Sequence, residues 1–128
     1  MRVLLVEDNQ DDVELMREGI RESGCEIQLS LAGNGKVALD WLRSNPLPKL
    51  VFLDLSLPVL NGLETLQEIQ ADPALRSLFV VVLTGSLSRR KHEQIKEMGP
   101  YPIHRKPLEK LDYLALTSRA ISYWESVE

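Results

Sequence analysis

Short apolar runs alternate along this chain with longer segments in which apolar residues recur at helical spacing. Runs that are apolar enough to form strands occur at 3–6, 27–32, 50–54, 78–83 and 101–104. The run LFVVVL at 78–83 is continuous and rich in β-branched residues. Such a run is typical of a strand that is buried on both faces of a parallel sheet.

The segments between the strands carry apolar stripes with the spacing of amphipathic helices. The stripes are Val13, Met16 and Ile20; Val37, Trp41 and Leu42; Leu63, Leu66 and Ile69; and Leu111, Leu114, Ala115 and Ile121. Strands that alternate with helices predict a doubly wound α/β fold, with a five-stranded parallel sheet, right-handed crossovers and helices on both faces. No repeat or linker interrupts the pattern, so we expect residues 1–128 to form a single domain with no output domain.

Composition narrows the class of protein. The chain of 128 residues is 44% hydrophobic and 27% charged, which is typical of a globular protein, and its net charge is -4. A negative charge argues against a nucleic-acid partner, because phosphate binding requires a clustered positive surface. No run approaches the roughly 20 apolar residues that span a bilayer, and MRVLLVED does not fit a signal peptide. We therefore expect a cytoplasmic protein without a membrane partner, in which the single cysteine, Cys25, is a small buried residue.

The polar residues that end or follow the predicted strands carry the candidate chemistry. Glu7 and Asp8 follow the first strand, Asp54 ends the third, Thr84 follows the fourth and Lys106 follows the fifth. The carboxyl ends of parallel strands lie at one edge of the sheet, where open α/β sheets bind ligands. We therefore expect these side chains to meet at that edge, with Asp54 displayed where its strand reaches solvent.

Crowded carboxylates repel one another unless their pKa values rise or a cation joins them. Mg²⁺ suits such a site, because it binds oxygen ligands and often takes one or two carboxylates together with phosphate and water. Asp54 could then attack an anionic phosphoryl donor and form an aspartyl phosphate. Lys106 would neutralise charge on the transferred group, and the hydroxyl group of Thr84 would donate a hydrogen bond to it.

Four motifs in register, each at a strand end, point to a known family. They are LLVEDN, FLDLSLP followed by LNG, VVLTGS and HRKP. Together they resemble the receiver domain of two-component response regulators, and the resemblance covers essentially the whole chain. VEDNQDDVEL, LDWLR and the terminal YW are further similar to single-domain receivers associated with bacterial phytochrome kinases. The resemblance implies a flavodoxin-like fold with strand order 2-1-3-4-5.

The resemblance also implies a role for each residue at the sheet edge. Asp54 matches the phosphoacceptor, Thr84 the hydroxyl that turns toward the phosphoryl group, and Lys106 the ammonium group. The metal site matches Glu7, Asp8, Asp54 and the backbone carbonyl of Ser56. In this family the peptide bond between Lys106 and Pro107 is usually cis.

The partners are likewise implied by the resemblance. The donor would be the phosphohistidine of a sensor histidine kinase or a phosphotransfer protein, and the output would be binding to a downstream protein or phosphorelay. The domain would not be an enzyme beyond its own self-phosphorylation and autodephosphorylation. Its first helix would meet the kinase. That helix carries Asp11, Asp12, Glu14, Glu18 and Glu22, although a charge run of this kind most often forms an ordinary solvated face. A basic run at 88–92 before the fourth helix, with Arg105 and Lys106 nearby, predicts a basic surface. The fourth helix, fifth strand and fifth helix would give output or a homodimer.

One position departs from the family pattern. Receivers usually carry Tyr or Phe three residues before the lysine, a ring that moves on phosphorylation, whereas this chain has Ile103. The response could then be muted, or could rely on Thr84 and the loop after the fourth strand. Alternatively, Ile103 is an ordinary strand residue and Tyr101 substitutes for the missing ring. Both interpretations stay open at this point.

Other residues have structural interpretations. Pro58, Asn61 and Gly62 predict the turn into the third helix, where Gly62 is free to adopt a positive φ. Trp41 is expected in the core.

Three other functions share parts of this pattern. A haloacid-dehalogenase-type phosphatase also uses an aspartate and Mg²⁺, but its second acid would stand where this chain has Ser56. A flavodoxin-like cofactor binder needs Ser, Thr and Gly in its first loop to cradle phosphate, whereas VEDNQDDVE is acidic. A pseudo-receiver, which is never phosphorylated and acts as a protein-interaction module, is the main alternative.

Overall fold

The computed structural model describes residues 1–85, 88–106, 115 and 118. Strands and helices alternate along the first two ranges. In chain order they are β1 (Arg2–Val6), α1 (Gln10–Ser23), β2 (Gln28–Ala32), α2 (Gly35–Ser44), β3 (Leu50–Asp54), α3 (Gly62–Ala71), β4 (Val80–Thr84), α4 (Arg89–Met98) and β5 (Ile103–Arg105). Within the described ranges the five strands form one parallel sheet in the order β2-β1-β3-β4-β5. The predicted sheet, its strand order and its α/β class are confirmed.

Alternation along the strands divides the core into two layers, because successive side chains of a strand point to opposite faces. On one face Leu4, Val51 and Val82 pack with residues of α2, α3 and α4, including Leu42, Leu66, Ile69 and Ile95. On the other face Val3, Leu5, Phe52 and Leu83 pack with Val13, Met16 and Ile20 of α1. Helices therefore cover both faces, and the sheet edge between the two layers remains open for polar residues.

Two strands begin later than the sequence predicts. β4 begins at Val80 rather than at residue 78, because Leu78 still belongs to the preceding turn, where its N–H bonds to the carbonyl of Leu75 at 3.0 Å. β5 begins at Ile103 rather than at residue 101, because the N–H of Tyr101 bonds to Gly99 O at 2.9 Å and closes a tight turn. Both shifts move the strands toward the edge that carries the polar residues.

The helical stripes are confirmed in α1 and largely in α3, but one prediction for α2 is wrong. Val37 is 47% exposed, and Gly35, Ala38, Leu39 and Leu42 face the core instead. Residues three and four positions apart share a helix face, so a helix that begins at Gly35 turns Val37 away from the sheet. Trp41 packs against the core only at its margin, with the guanidinium of Arg2 5.5 Å from its ring centroid. Of the predicted final helix, Leu111, Leu114 and Ile121 lie outside the described residues.

The expectation that Cys25 is buried is also wrong. Gly24 ends α1 in the left-handed region, at φ 73°, and its N–H bonds to the carbonyl of Arg21. Cys25 follows it and is exposed. None of the described helices is long and apolar enough to cross a membrane.

The turn from β3 into α3 is tighter than predicted. Gly62 does not have a positive φ; the glycine is required because a Cβ there would overlap the carbonyl oxygen of Asp54 and lie 2.5 Å from Leu55 Cα. Asn61 caps α3 by accepting from Glu64 N–H, and the side chain of Glu64 accepts from Asn61 N–H in return. The positive φ in this turn belongs to Val59, at 65°. The start of α3 is therefore packed directly against the end of the strand that carries Asp54.

Candidate functional site at the carboxyl edge of the sheet

The three predicted acids converge at the carboxyl edge of the central strands. Glu7 directly follows β1 and is fixed to the neighbouring strand by a 2.9 Å bond from its N–H to the carbonyl of Ala32. Asp8 is exposed beside it, and Asp54 is the last residue of β3. One carboxylate oxygen from each of the three lies within 4.8 Å of those of the others. The predicted meeting of these side chains is therefore present.

Asp54 is enclosed rather than displayed to solvent. The residue is only 1% exposed, in contrast to the sequence expectation, because the start of α3 packs against its backbone and Lys106 covers its carboxylate. Its Oδ1 accepts a 3.0 Å hydrogen bond from Ser56 N–H, and its Oδ2 lies 3.0 Å from Lys106 Nζ. Both oxygens are thus held in a defined orientation.

An open cleft of about 570 Å³ gives access to these groups. It is lined by Asp8, Asn9, Gln10, Asp11, Asp54, Ser56 and Lys106. The cleft brings together residues that follow β1 with those that end β3 and follow β5. A small anionic group that enters it would meet the Asp54 carboxylate and the Lys106 ammonium together.

Lys106 reaches into the acid cluster. Its Nζ lies 2.6 Å from Glu7 Oε1, 2.9 Å from Asp12 Oδ2 and 3.0 Å from Asp54 Oδ2. Its backbone N–H bonds to the carbonyl of Thr84 at 2.7 Å, which fastens the segment after β5 to the end of β4. Lys106 therefore neutralises the cluster and is not part of the basic surface to which the sequence pattern assigned it. Pro107 lies outside the described residues, as does the predicted cis bond.

Thr84 ends β4 next to the strand of Asp54. In the β3–β4 pairing Asp54 is opposite Leu83, so Thr84 is one residue further toward the carboxyl edge. Thr84 is buried, and Gly85 after it is exposed. Its position at this edge agrees with the sequence prediction.

Burial and charge act on the pKa values of the cluster. Burial is the largest influence on Glu7, and with a hydrogen bond to Asp54 it raises the pKa of this carboxyl to about 8, although Lys106 opposes the rise. For Lys106, burial would lower the pKa of the ammonium group, but its hydrogen bonds to Glu7, Asp12 and Asp54 together raise it above the ordinary value. Lys106 therefore stays charged, while the acids have more negative charge than one ammonium can neutralise.

This surplus of negative charge fits a divalent cation. Glu7, Asp8 and Asp54 each offer an oxygen ligand, and Ser56 lines the same cleft. Mg²⁺ prefers oxygen ligands of this kind. The donor set thus agrees with the predicted metal site.

Asp12 is a residue of the site that the sequence reasoning missed. The pattern placed it in the acidic surface of α1, where a carboxylate in the first turn interacts favourably with the helix dipole. In the structure it is an ion-pair partner of Lys106. Its place three residues after the capping Asn9 could have indicated this, because that position lies next to the end of β1.

The basic run lies inside α4 rather than before it. Ser88 caps the helix by accepting from Lys91 N–H, and the helix begins at Arg89. Arg89, Arg90 and Lys91 are exposed. Because α1 and α4 pack on opposite faces of the sheet, acidic and basic helices cover different sides of the molecule.

Ile103 packs as an ordinary strand residue against the core layer that contains α2, α3 and α4. Tyr101 is buried near Gly99, in the turn at the amino end of β5. That end of the strand is remote from the carboxyl edge that holds Asp54. Tyr101 therefore does not occupy the place of the missing aromatic ring.

Comparison with known proteins identifies the family. Residues 3–117 match the response regulator receiver domain. The chain is 34% identical over 108 residues to response regulator Rcp1 of Synechocystis sp., covering 80% of this chain and 70% of Rcp1. The Mn²⁺-bound crystal structure of Rcp1 superimposes with a TM-score of 0.85 at 30% identity, covering 96% of this chain and 93% of Rcp1. Phosphorylated RcpA, a cyanobacterial phytochrome response regulator, gives a TM-score of 0.89 at 27% identity over 99% of this chain and 95% of RcpA. The chain therefore belongs to the response regulator receiver domain family of two-component systems and is related to phytochrome-associated response regulators.

Proposed function

We propose that this chain is a cytoplasmic response regulator that accepts a phosphoryl group on Asp54 from the phosphohistidine of a sensor histidine kinase or a phosphotransfer protein. Receiver domains are signalling modules that act with such kinases and with downstream targets. The observation that carries the proposal is the arrangement around Asp54. Its carboxylate lies with those of Glu7 and Asp8 within 4.8 Å and has Lys106 Nζ at 3.0 Å, in a cleft open to a partner.

Receiver domains bind Mg²⁺ in an acidic pocket. In this chain the carboxylates of Glu7, Asp8 and Asp54 and the backbone carbonyl of Ser56 would hold it. When bound, the ion supplies the positive charge that lets an anionic phosphoryl group approach these acids. This assignment is supported by the donor set and by the surplus negative charge of the cluster.

The transfer itself requires mainly positioning and charge neutralisation. A carboxylate oxygen of Asp54 attacks phosphorus, so that a P–O bond forms and the P–N bond to the donor histidine breaks. The histidine nitrogen keeps the electron pair and takes a proton from solvent. Ser56 N–H orients the carboxylate, Lys106 neutralises charge on the phosphoryl oxygens, and Thr84 donates its hydroxyl to one of them. Hydrolysis returns the domain to its unphosphorylated state, because water attacks phosphorus and the P–O bond to Asp54 breaks.

Output would use the surface away from α1. The acidic α1 borders the cleft and would meet the phosphoryl donor. The basic α4 and the edge strand β5, which lies at the opposite end of the sheet from β2, would bind a downstream protein or form a homodimer. Phosphorelay to another protein would use the same cleft as the incoming transfer. The predicted contribution of a fifth helix lies outside the described residues.

The proposal is tested by incubating the purified protein with acetyl phosphate and Mg²⁺ and measuring its intact mass. We expect an adduct of one phosphoryl group, which is absent when EDTA replaces Mg²⁺ and absent in Asp54→Asn. Asp40→Asn is the matched control, because it makes the same chemical change at an exposed carboxylate that pairs with Lys36 outside the cleft. That variant should be phosphorylated like the wild type.

Two outcomes would contradict the proposal. An adduct that persists in Asp54→Asn would show that another residue is the acceptor. A wild-type chain that gains no mass from either acetyl phosphate or a phosphorylated kinase would instead be a pseudo-receiver that acts by protein binding alone.

A further inference from the structure

The three carboxylate partners of Lys106 are of two kinds. Glu7 and Asp54 belong to the acid cluster whose oxygens lie close enough to hold a metal ion. Asp12 lies outside that cluster, yet its Oδ2 is 2.9 Å from Lys106 Nζ, as close as the Oδ2 of Asp54 at 3.0 Å. An ammonium group has three N–H donors, and here each has one carboxylate oxygen.

Asp12 is held in place by the start of α1. Its backbone N–H donates to Asn9 Oδ1 at 3.1 Å, and Asn9 directly follows Asp8 in the chain. Val13 and Met16 of the same helix are buried against the sheet, which fixes the helix relative to the cleft. The side chain of Asp12 is 20% exposed and that of Lys106 is 17% exposed, so the pair is largely shielded from water.

We propose that Asp12 is a positioning residue that keeps the Lys106 ammonium group at the phosphoacceptor once the oxygens of Glu7 and Asp54 are engaged by the cation and the phosphoryl group. This inference rests on the proposed function. A metal ion and a phosphoryl group would compete with Lys106 for Glu7 and Asp54. Asp12 is then the partner that Lys106 keeps among the three acids that contact it.

The physical reason is the flexibility of lysine. Its long side chain has many rotamers, and ordering it costs entropy unless a fixed acceptor holds the ammonium group. Asp12 is such an acceptor, because it belongs to a capped and packed helix. Loss of the acceptor should leave the charge of Lys106 intact but make its position at Asp54 less populated.

Three variants separate this role from a change in charge. Asp12→Ala removes the acceptor and the charge, whereas Asp12→Asn keeps an oxygen acceptor without the charge. Glu14→Ala is the control, because it removes one negative charge from an exposed position of α1 that pairs with Arg17 at 3.7 Å. Circular dichroism and denaturation would first establish that each variant is folded.

The first readout does not depend on phosphorylation. Exchange of the Lys106 ammonium protons with water is measured by ¹⁵N–¹H NMR in the presence of Mg²⁺. We expect Asp12→Ala to accelerate this exchange about tenfold or more, as for loss of one hydrogen bond to a charged group, with Asp12→Asn between it and the wild type. Glu14→Ala should leave the exchange rate unchanged. Equal exchange rates in Asp12→Ala and the wild type would overturn the proposal.

The second readout is the rate of phosphorylation by phosphoramidate at saturating Mg²⁺. We expect Asp12→Ala to lower the rate about fivefold in the wild-type background and to have no further effect in Lys106→Ala, because Asp12 acts through the lysine. An equal loss in both backgrounds, or no loss in either, would overturn the positioning role. If the wild type itself gained no phosphoryl group, the proposed function would fail, and the NMR comparison would still decide the role of Asp12.

Discussion

Glu7 is subject to opposing influences that make the site sensitive to pH. Burial raises the pKa of its carboxyl from 4.5 to about 8, the hydrogen bond to Asp54 adds to this, and Lys106 acts in the other direction. The folded protein therefore holds a proton on Glu7 at pH values where the unfolded chain has released it. Neighbouring carboxylates commonly share protons in this way.

The sign of the pH effect follows from this difference. Stability from the protonated Glu7 is fully present below the unfolded pKa of 4.5 and is lost as the pH rises through the folded value of about 8. We expect the metal-free protein to lose on the order of 3–4 kcal/mol of unfolding free energy through this group between about pH 5 and pH 8. Urea unfolding in EDTA at a series of pH values measures it. In Glu7→Gln this part of the pH dependence should disappear, and an unchanged pH profile would contradict the assignment.

Val59 carries local backbone strain in the loop between Asp54 and α3. A β-branched residue is unfavourable at its φ of 65°, and its side chain, 78% exposed, gains little packing in return. We expect Val59→Gly to stabilise the protein by about 0.5–1 kcal/mol, since relief of strain exceeds the entropy that glycine adds to the unfolded chain.

Val37→Gly is the matched control for this prediction. Val37 is also exposed but lies in α2, where glycine should cost about 0.5–1 kcal/mol of stability. Guanidinium unfolding of both variants measures the two effects. A loss of stability in Val59→Gly as large as that in Val37→Gly would show that the loop is not strained.

For single residues, the sequence predicted where the candidate site residues lie in the fold better than it predicted their burial and their contacts. Glu7, Asp54 and Lys106 meet as expected, because parallel strand ends necessarily share an edge. The burial of Asp54 was not predictable from the motifs, and only the place of Asp12 three residues after the capping Asn9 indicated its pairing with Lys106. Both depend on how α1 and α3 pack over the edge, which is a tertiary contact that the motifs themselves do not describe.

At the scale of elements, the turn after Asp54 is tight because the start of α3 packs against the end of β3. The N–H of Gly62 bonds to the carbonyl of Leu55 at 3.1 Å, so the helix start lies against the strand end. A side chain at Gly62 would have to displace the backbone of Asp54 and Leu55. Tight packing thus links the start of α3 to Asp54.

We expect Gly62→Ala to destabilise the protein by about 2–3 kcal/mol, as in other overpacked sites, and to slow phosphorylation of Asp54. Gly33→Ala is the control, because a Cβ at Gly33 meets no atom within 4 Å. Thermal unfolding and intact mass after acetyl phosphate treatment measure the two effects. Wild-type stability in Gly62→Ala would mean that the turn can relax without cost.

Which elements exist was predictable from periodicity, but some of their boundaries and faces were not. β3 matches the predicted range of 50–54, whereas β5 is moved toward the edge by the turn that begins at Gly99. In α2 the buried face was misassigned at Val37, because an apolar residue in a short helix does not reveal where the helix starts. The cap residue Asn34 is the feature that determines the start and hence the face.

At the scale of the whole molecule, metal binding should increase the free energy of unfolding. A ligand that binds only the folded state stabilises it by about 1.4 kcal/mol at ten times its Kd. At ten times its Kd, we expect Mg²⁺ to stabilise the wild type by this amount relative to the same protein in EDTA. Asp8→Asn should lose most of it, because Asp8 is the exposed member of the acid cluster.

Asp40→Asn should respond to Mg²⁺ like the wild type, since Asp40 pairs with Lys36 outside the cleft. Chemical unfolding with Mg²⁺ and with EDTA gives the comparison. If Asp8→Asn gained as much stability from Mg²⁺ as the wild type, the cation would bind elsewhere than at Glu7, Asp8 and Asp54.

The exposed thiol of Cys25 has a practical consequence at this scale. It is the chain's single cysteine and follows the end of α1, whose 14 residues span about 21 Å from the turn that borders the cleft. A fluorophore or spin label attached to this sulfur would therefore lie at the end of α1 remote from the Asp54 carboxylate. Immobilisation through the same atom would leave the cleft that contains Asp54 open to solution.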